Sequence, residues 1–145
     1  MIQRTTRIIK MNKSVHGFHL IEVLTTVAIL SILASLCMPL YSEYLVQARR
    51  LEAASTLSRL AVAMEKFHIE HNTYEEATLA SLHFPETFAK NNYHLIIQAA
   101  THHDYTLIAE PRGKQAEKDE RCGGLILYAD DRRGITGRAK VSECW

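Results

Sequence analysis

A long apolar stretch directly behind a basic leader constrains this sequence more than any other feature. Residues 1–17 carry four basic side chains and no acidic one, and the next 23 residues, 18–40, contain a single charged residue, Glu22. As a helix rising ~1.5 Å per residue, this stretch reaches ~34 Å, enough to cross a bilayer core of ~30 Å. The basic leader predicts a cytoplasmic N-terminus. We therefore expect a single-pass membrane helix with its N-terminus inside, and a buried helix of a soluble protein is the alternative.

The segment that follows predicts a continuation of the same helix. Residues 41–71 contain no Gly or Pro, and Ala and Leu recur among them at near-helical spacing with charges between them. Such a pattern is typical of an amphipathic helix whose apolar face must be covered. We expect one helix of about 50 residues, apolar in its first half and amphipathic in its second.

Several short runs of β-branched and aromatic residues near the C-terminus are predicted to cover the apolar face of this helix. Residues 93–99, 105–109 and 124–129 read as strands, 101–104 and 131–134 as turns, and 135–140 as a weak fourth strand. The predicted fold class is α+β, with a long N-terminal helix packed on a small antiparallel sheet.

Two short motifs resemble those of the type IV pilin family. HGFHLIE at residues 16–22 is similar to the processing site of type IV prepilins, where cleavage follows the glycine, and MPLYSEY at 38–44 is similar to the stretch around the family's proline. The resemblance covers residues 13 to about 50. It implies cleavage between Gly17 and Phe18 and N-methylation of Phe18 by a prepilin peptidase/methyltransferase, and it places Pro39 in the assembly helix.

This resemblance completes the predicted organisation of the chain. Residues 1–17 form a cleaved leader, 18–40 the transmembrane and assembly helix, and 41–71 the amphipathic half of the same helix. Residues 72–145 contain an αβ-loop, the antiparallel sheet and a C-terminal region bounded by a disulfide.

Physical chemistry also predicts a role for the Glu22 carboxylate. An ionised carboxylate near a bilayer costs ~2.5 kcal/mol or more, so Glu22 needs a partner or a function. Processing before Phe18 creates a new amino terminus about one turn away, and an amine–carboxylate pair between neighbouring chains fixes their register. The resemblance implies the same role in filament assembly. A glutamate that snorkels to the interface is the alternative.

Three cysteines divide into a pair and a single residue. Cys122 and Cys144 bracket the last strand and turn, and on the exported side an oxidising compartment favours a disulfide between them. Two free thiols and a metal pair stay open as alternatives. The surrounding sequence also resembles the stapled C-terminal region of minor pilins. Cys37, within the apolar stretch, is expected to be a small apolar filler.

No known catalytic, cofactor or metal motif accompanies the eight histidines, so we expect neither an enzyme nor a bound cofactor or metal. DNA binding is a second hypothesis. A basic group lies inside the predicted disulfide loop, and another precedes it; the two groups consist of Arg132, Arg133, Arg138 and Lys140, and of Arg112, Lys114, Lys118 and Arg121. Phosphate contacts from this region are consistent with DNA uptake. Interleaved acidic residues fit an ordinary solvated surface instead.

The sequence thus predicts a structural subunit of a type IV pilus whose head, the α+β domain formed by the sheet and the amphipathic helix half that it covers, serves adhesion, motility or DNA uptake. Its small size favours a minor pilin. Its expected partners are other pilin subunits, the processing enzyme, the inner-membrane assembly machinery and, under the second hypothesis, DNA. It is expected in the inner membrane first and then on the cell surface. A type II secretion pseudopilin and a membrane-anchored DNA-binding or other binding module are the alternatives.

Overall fold

The computed structural model describes residues 19–145, apart from the side chains of residues 36–40. The chain divides into two compact units, Met1–Pro39 and Leu40–Trp145. The predicted cleavage and methylation site at Gly17 and Phe18 lies outside the described residues, and so do the side chains of Cys37 and Pro39.

The first helix, α1, is Leu20–His71. Asn72, the residue after it, takes a left-handed conformation with φ 56°, a common way for a helix to terminate. In the second unit α1 turns one stripe of side chains inward. The stripe is fully buried and consists of Ala53, Leu57, Leu60 and Met64. Their spacing of three and four residues is that of one helix face.

Five strands form an antiparallel sheet in the order β1-β2-β3-β4-β5. They are β1 Thr87–Phe88, β2 Tyr93–Ala100, β3 Tyr105–Pro111, β4 Leu125–Tyr128 and β5 Arg133–Ile135. Buried and half-buried residues alternate along β3 and β4, as expected for a sheet with one covered face. The buried set, including Tyr93, Leu107 and Leu125, joins the inward stripe of α1 in one core. The predicted α+β fold class is confirmed.

The last predicted strand is displaced. The sequence predicts it over residues 135–140, whereas β5 is Arg133–Ile135. The reason is a tight turn in which the Tyr128 amide donates to the Arg132 carbonyl at 3.0 Å, so that pairing with β4 resumes at once. Two short helices were not predicted, α2 at Lys114–Lys118 and α3 at Val141–Cys144, and neither was β1.

Candidate functional site

Residues 20–33 of the first unit present large apolar side chains that their own unit leaves uncovered. Exposure ranges from 46% at Val23 to 78% at Leu20. The hydroxyls in this stretch are bonded within the helix: Thr25 donates to the Glu22 carbonyl at 3.0 Å and Ser31 to the Val27 carbonyl at 2.8 Å. Polar groups satisfied in this way tolerate apolar surroundings.

Glu22 stands exposed in the first turn of α1. Among residues 19–145 no cationic side chain forms an ion pair with it. Within the same residues, the structure contains no helix whose length and apolar content together suffice for a membrane span.

The C-terminal region is closed by the predicted disulfide. Cys122 and Cys144 are bonded, with their Cα atoms 5.7 Å apart and both residues buried. The bond joins α3 to the turn before β4. Between them, Gly137 passes so close to the main chain that an added Cβ would lie 2.2 Å from the Arg121 carbonyl oxygen. This region therefore has one tightly determined path.

The first pair of predicted DNA contacts lies at the β4–β5 turn. Arg132 pairs with Asp130, whose pKa that bond holds below its usual value, and its guanidinium lies 4.9 Å from the centre of the Tyr128 ring. Arg133 lies 5.1 Å from the centre of the Trp145 indole. The adjoining groove is rich in carboxylates, those of Glu65, Asp104, Asp130 and Asp131. This end of the sheet is a mixed surface in which the two arginines already have partners.

The second predicted pair, Arg138 and Lys140, lies at the opposite end of β4. The Arg138 amide donates to the Arg121 carbonyl at 2.9 Å, whereas Arg133 pairs with Leu127 at the other end of the strand. The side chains of Arg138 and Lys140 are exposed and form no ion pair within the described chain. The four predicted residues therefore fall into two separate groups rather than one patch.

A buried polar network beside the second group was not predicted. Arg50 Nε donates to Asp119 Oδ2 at 2.9 Å, and a second bond joins Arg50 Nη2 to Asp119 Oδ1. Gln115 Nε2 donates to the Val46 carbonyl at 3.1 Å and to the Tyr93 hydroxyl at 3.2 Å. The network connects α1, α2 and β2. Burial, together with the Asp119 charge, raises the pKa of Tyr93 to about 12.

One sequence signal could have revealed this network. Arg50 lies between Val46 and Ala53 at the spacing of the buried stripe, so a charge falls on the face of α1 that turns inward. A buried arginine needs a carboxylate partner. Nothing in the sequence singles out Asp119, which stands in a run of charged residues.

The chain is similar to known type IV pilins. The family model for the type IV minor pilin ComP, DNA uptake sequence receptor, matches residues 39–126. The chain is also 27% identical over 119 residues to the type IV major pilin protein PilE1 of Neisseria gonorrhoeae, covering 82% of this chain and 54% of that pilin. The chain thus spans about half the length of this curated relative. Because the family match covers more than half of the chain, this protein belongs to the ComP family of type IV minor pilins.

Proposed function

We propose that this protein is a structural subunit of a type IV pilus. Its family membership is the observation that carries the proposal. The uncovered apolar side chains of residues 20–33 support it, because such a surface is stable in a bilayer or against apolar helices of neighbouring subunits.

Processing and assembly follow the motif at residues 16–22. The chain is inserted through residues 18–40 with its N-terminus in the cytoplasm, cleaved between Gly17 and Phe18 and methylated on Phe18. The new amine then pairs with Glu22 of a neighbouring chain. Pro39 belongs to the same assembly helix. The partners are other pilin subunits, the prepilin peptidase/methyltransferase and the inner-membrane assembly machinery. The protein has a structural role rather than an enzymatic one.

Deletion of the gene followed by electron microscopy tests this proposal. A minor subunit leaves filaments present while DNA uptake, adhesion or twitching is lost. Loss of every filament indicates a major subunit or an initiator. Intact pili with failed protein secretion would instead favour a type II secretion pseudopilin. Mass spectrometry of the mature chain checks for an N-terminal methylated Phe18, and an uncleaved chain starting at Met1 would refute assembly as a processed pilin.

DNA reception is a second candidate function. Two observations favour it: the matched family is described as a DNA uptake sequence receptor, and Arg138 and Lys140 extend a basic surface at the disulfide-closed end. Phosphate contacts made by such cations are salt-dependent.

A pair of double variants locates the DNA contact on the full chain in detergent. We expect Arg138→Gln with Lys140→Gln to weaken duplex binding several-fold. Arg132→Gln with Arg133→Gln tests the other predicted pair in the same assay, and we expect a smaller loss of affinity there, because Asp130 pairs with Arg132 and four carboxylates line the adjoining groove. Absence of duplex binding by the wild-type chain at low salt would refute DNA reception without touching the structural role.

A further inference from the structure

A groove between α1 and the chain after α2 brings together cationic side chains from distant parts of the sequence. Arg50 belongs to α1, Lys118 ends α2, and Arg121 lies in the turn before β4. The groove has a volume of about 570 Å³. It lies inside the segment that the family model matches, whereas Arg132, Arg133, Arg138 and Lys140 lie beyond it.

Arg50 is held in one orientation at this groove. Asp119 binds its Nε and Nη2 from the buried side, and the Asp119 side chain is 1% exposed. The Arg50 side chain is 17% exposed and lines the groove. A guanidinium has five N–H donors, so the edge that Asp119 does not use keeps donors available.

Gln115 fixes the other wall of the groove. Its side chain is fully buried and donates both to the Val46 carbonyl on α1 and to Asp119 Oδ2, the latter at 3.2 Å. Lys118 follows one turn later on the same short helix. The buried bonds of Gln115 therefore hold the helix that carries Lys118 against α1, while the Lys118 side chain itself is exposed.

Three carboxylates compete for the cations at this groove. Asp119 is buried behind Arg50, and Glu143 pairs with Arg121 at 3.2 Å on an exposed rim, where such pairs are weak and yield to other anions. Glu43 is the third and lines the groove itself. Lys118 takes part in no ion pair among residues 19–145.

Two further cations belong to a segment that lies beside the groove. The Arg121 carbonyl accepts from the amides of Arg138 and Ala139, both at 2.9 Å, which holds the Arg138–Lys140 segment beside it. Arg50, Lys118 and Arg121, together with Arg138 and Lys140, equal in number the three carboxylates plus Glu117 and Glu120, which adjoin Lys118 and Arg121 in the chain. Because Asp119 and Glu143 are already paired with Arg50 and Arg121, several separate cations are available to successive phosphates of one backbone.

We propose that this groove binds a phosphate of the DNA backbone, with Arg50 as its fixed donor and Lys118 and Arg121 as flanking cations. The proposal rests on the proposed DNA reception and names its principal contact site. An arginine fork suits phosphate geometry, and a lysine adds a point charge. The site positions the duplex and carries no sequence information, because phosphate contacts do not read bases.

Salt titration of duplex binding tests the groove on the full chain in zwitterionic detergent. Lys118→Gln and Arg121→Gln change exposed side chains and should fold. Each should lower the slope of log affinity against log salt by about 0.9 and weaken binding several-fold. Arg50→Lys keeps the charge and removes the fork, so affinity should fall while the slope stays. Arg59→Gln is the matched control: it removes an exposed arginine from α1 outside the groove and should change neither quantity.

The remaining outcomes distinguish failure of the groove from failure of DNA reception. Wild-type binding with slopes unchanged in Lys118→Gln and Arg121→Gln overturns the groove while DNA reception stands. If the wild-type chain binds no duplex, DNA reception fails, and titration with inorganic phosphate followed by NMR judges the groove separately. Shifted Arg50 and Lys118 side-chain signals then support a phosphate site, and unshifted signals overturn it. Lys118-dependent binding to phosphatidylglycerol vesicles without duplex binding overturns the assignment to DNA.

Discussion

Arg50 and Asp119 illustrate how one buried ion pair can organise a small domain. Two charges removed from water are tolerated only when good geometry and further hydrogen bonds offset the desolvation penalty. Here the pairing is bidentate, and Gln115 and Tyr93 add bonds to the same carboxylate. The pair therefore fastens α2 to α1 with a directionality that apolar packing lacks.

Neutralising Asp119 should destabilise the head strongly. Asp119→Asn leaves the largely buried Arg50 guanidinium, 17% exposed, without its counter-charge, and since breaking a fully buried pair costs about 3–5 kcal/mol, we expect a loss towards the lower end of that range. We expect the urea midpoint of the full chain to fall accordingly. Glu70→Gln is the control, because Glu70 forms an exposed pair with Lys66 at 3.8 Å and should change stability by under about 0.5 kcal/mol. Equal effects of the two variants would contradict this account of the network.

Tyr93 makes the stability of the head sensitive to alkaline pH. Its pKa of about 12 exceeds the ordinary value of 10.0 because burial and Asp119 disfavour the phenolate. The folded state thus favours the protonated hydroxyl, and this contribution is complete below pH 10 and lost as the pH rises towards 12. We expect the urea midpoint to fall over this interval and the fall to be shallower in Tyr93→Phe. An unchanged slope in Tyr93→Phe would assign the effect to other tyrosines, such as Tyr105, whose pKa burial also raises.

At the residue scale, the disulfide could be predicted from the sequence, whereas the buried polar residues could not. The Cys122–Cys144 bond was predicted from the expected oxidising compartment and from the positions of the two cysteines around the last strand, and it is present. Asp119 and Gln115 could not be identified as core residues, because residues of these types are ordinarily exposed. Their partners on α1 are also distant in the sequence: Arg50 lies 69 residues before Asp119, and Val46 lies 69 residues before Gln115.

At the scale of elements, the head depends on how its C-terminal region is closed. After β5 the chain returns past Arg121 and ends in α3, and the disulfide joins that end to the start of β4. β5 itself has only three residues, too few to stand alone as an edge strand. The covalent closure therefore stabilises the last strand and holds Arg138 and Lys140 beside Arg121.

Removing the disulfide should destabilise the C-terminal residues 133–140 before the rest of the sheet. In the chain-entropy view, closing a loop with a sequence separation of 22 contributes ~2–4 kcal/mol. We expect the double variant Cys122→Ser/Cys144→Ser to lose about that much stability, measured by denaturant unfolding. Hydrogen exchange should accelerate in residues 133–140 before it does in β2 and β3. Reductant should have no further effect on the double variant, and uniform acceleration over the whole sheet would argue against local closure.

Element prediction succeeded where periodicity is strong and failed where turns decide. The end of α1 and the positions of β2, β3 and β4 follow from apolar spacing and alternation. β5 was predicted in the wrong place because it begins directly after the tight turn at Asp131, with φ 61°, and has only three residues. Such a short strand shows no alternation of apolar and polar residues. The two short helices, of five and four residues, are too short to carry a pattern.

On the scale of the whole molecule, both units leave apolar surface on α1 uncovered. The first unit exposes residues 20–33, and in the second unit Tyr44, Leu51, Val62 and Ile69 are 60–79% exposed. These four fall on one face of α1 at near-whole-turn spacing, away from the buried stripe. Exposed apolar surfaces of this kind are disfavoured on an isolated soluble protein and are typical of surfaces that contact other helices or a membrane.

Glu22 should then decide assembly rather than folding. Glu22→Val removes the one carboxylate of the apolar segment, and with it the proposed partner of a neighbouring chain's amine, while leaving the head untouched. We expect the variant to be processed and retained in the membrane fraction but missing from sheared filaments, measured by immunoblotting in a strain that also makes the wild-type major subunit. Thr25→Val is the matched control, since its hydroxyl bonds only its own helix. Filament levels of Glu22→Val equal to those of Thr25→Val would show that the carboxylate does not guide assembly, and its exposed position would then reflect an interfacial, snorkelling side chain.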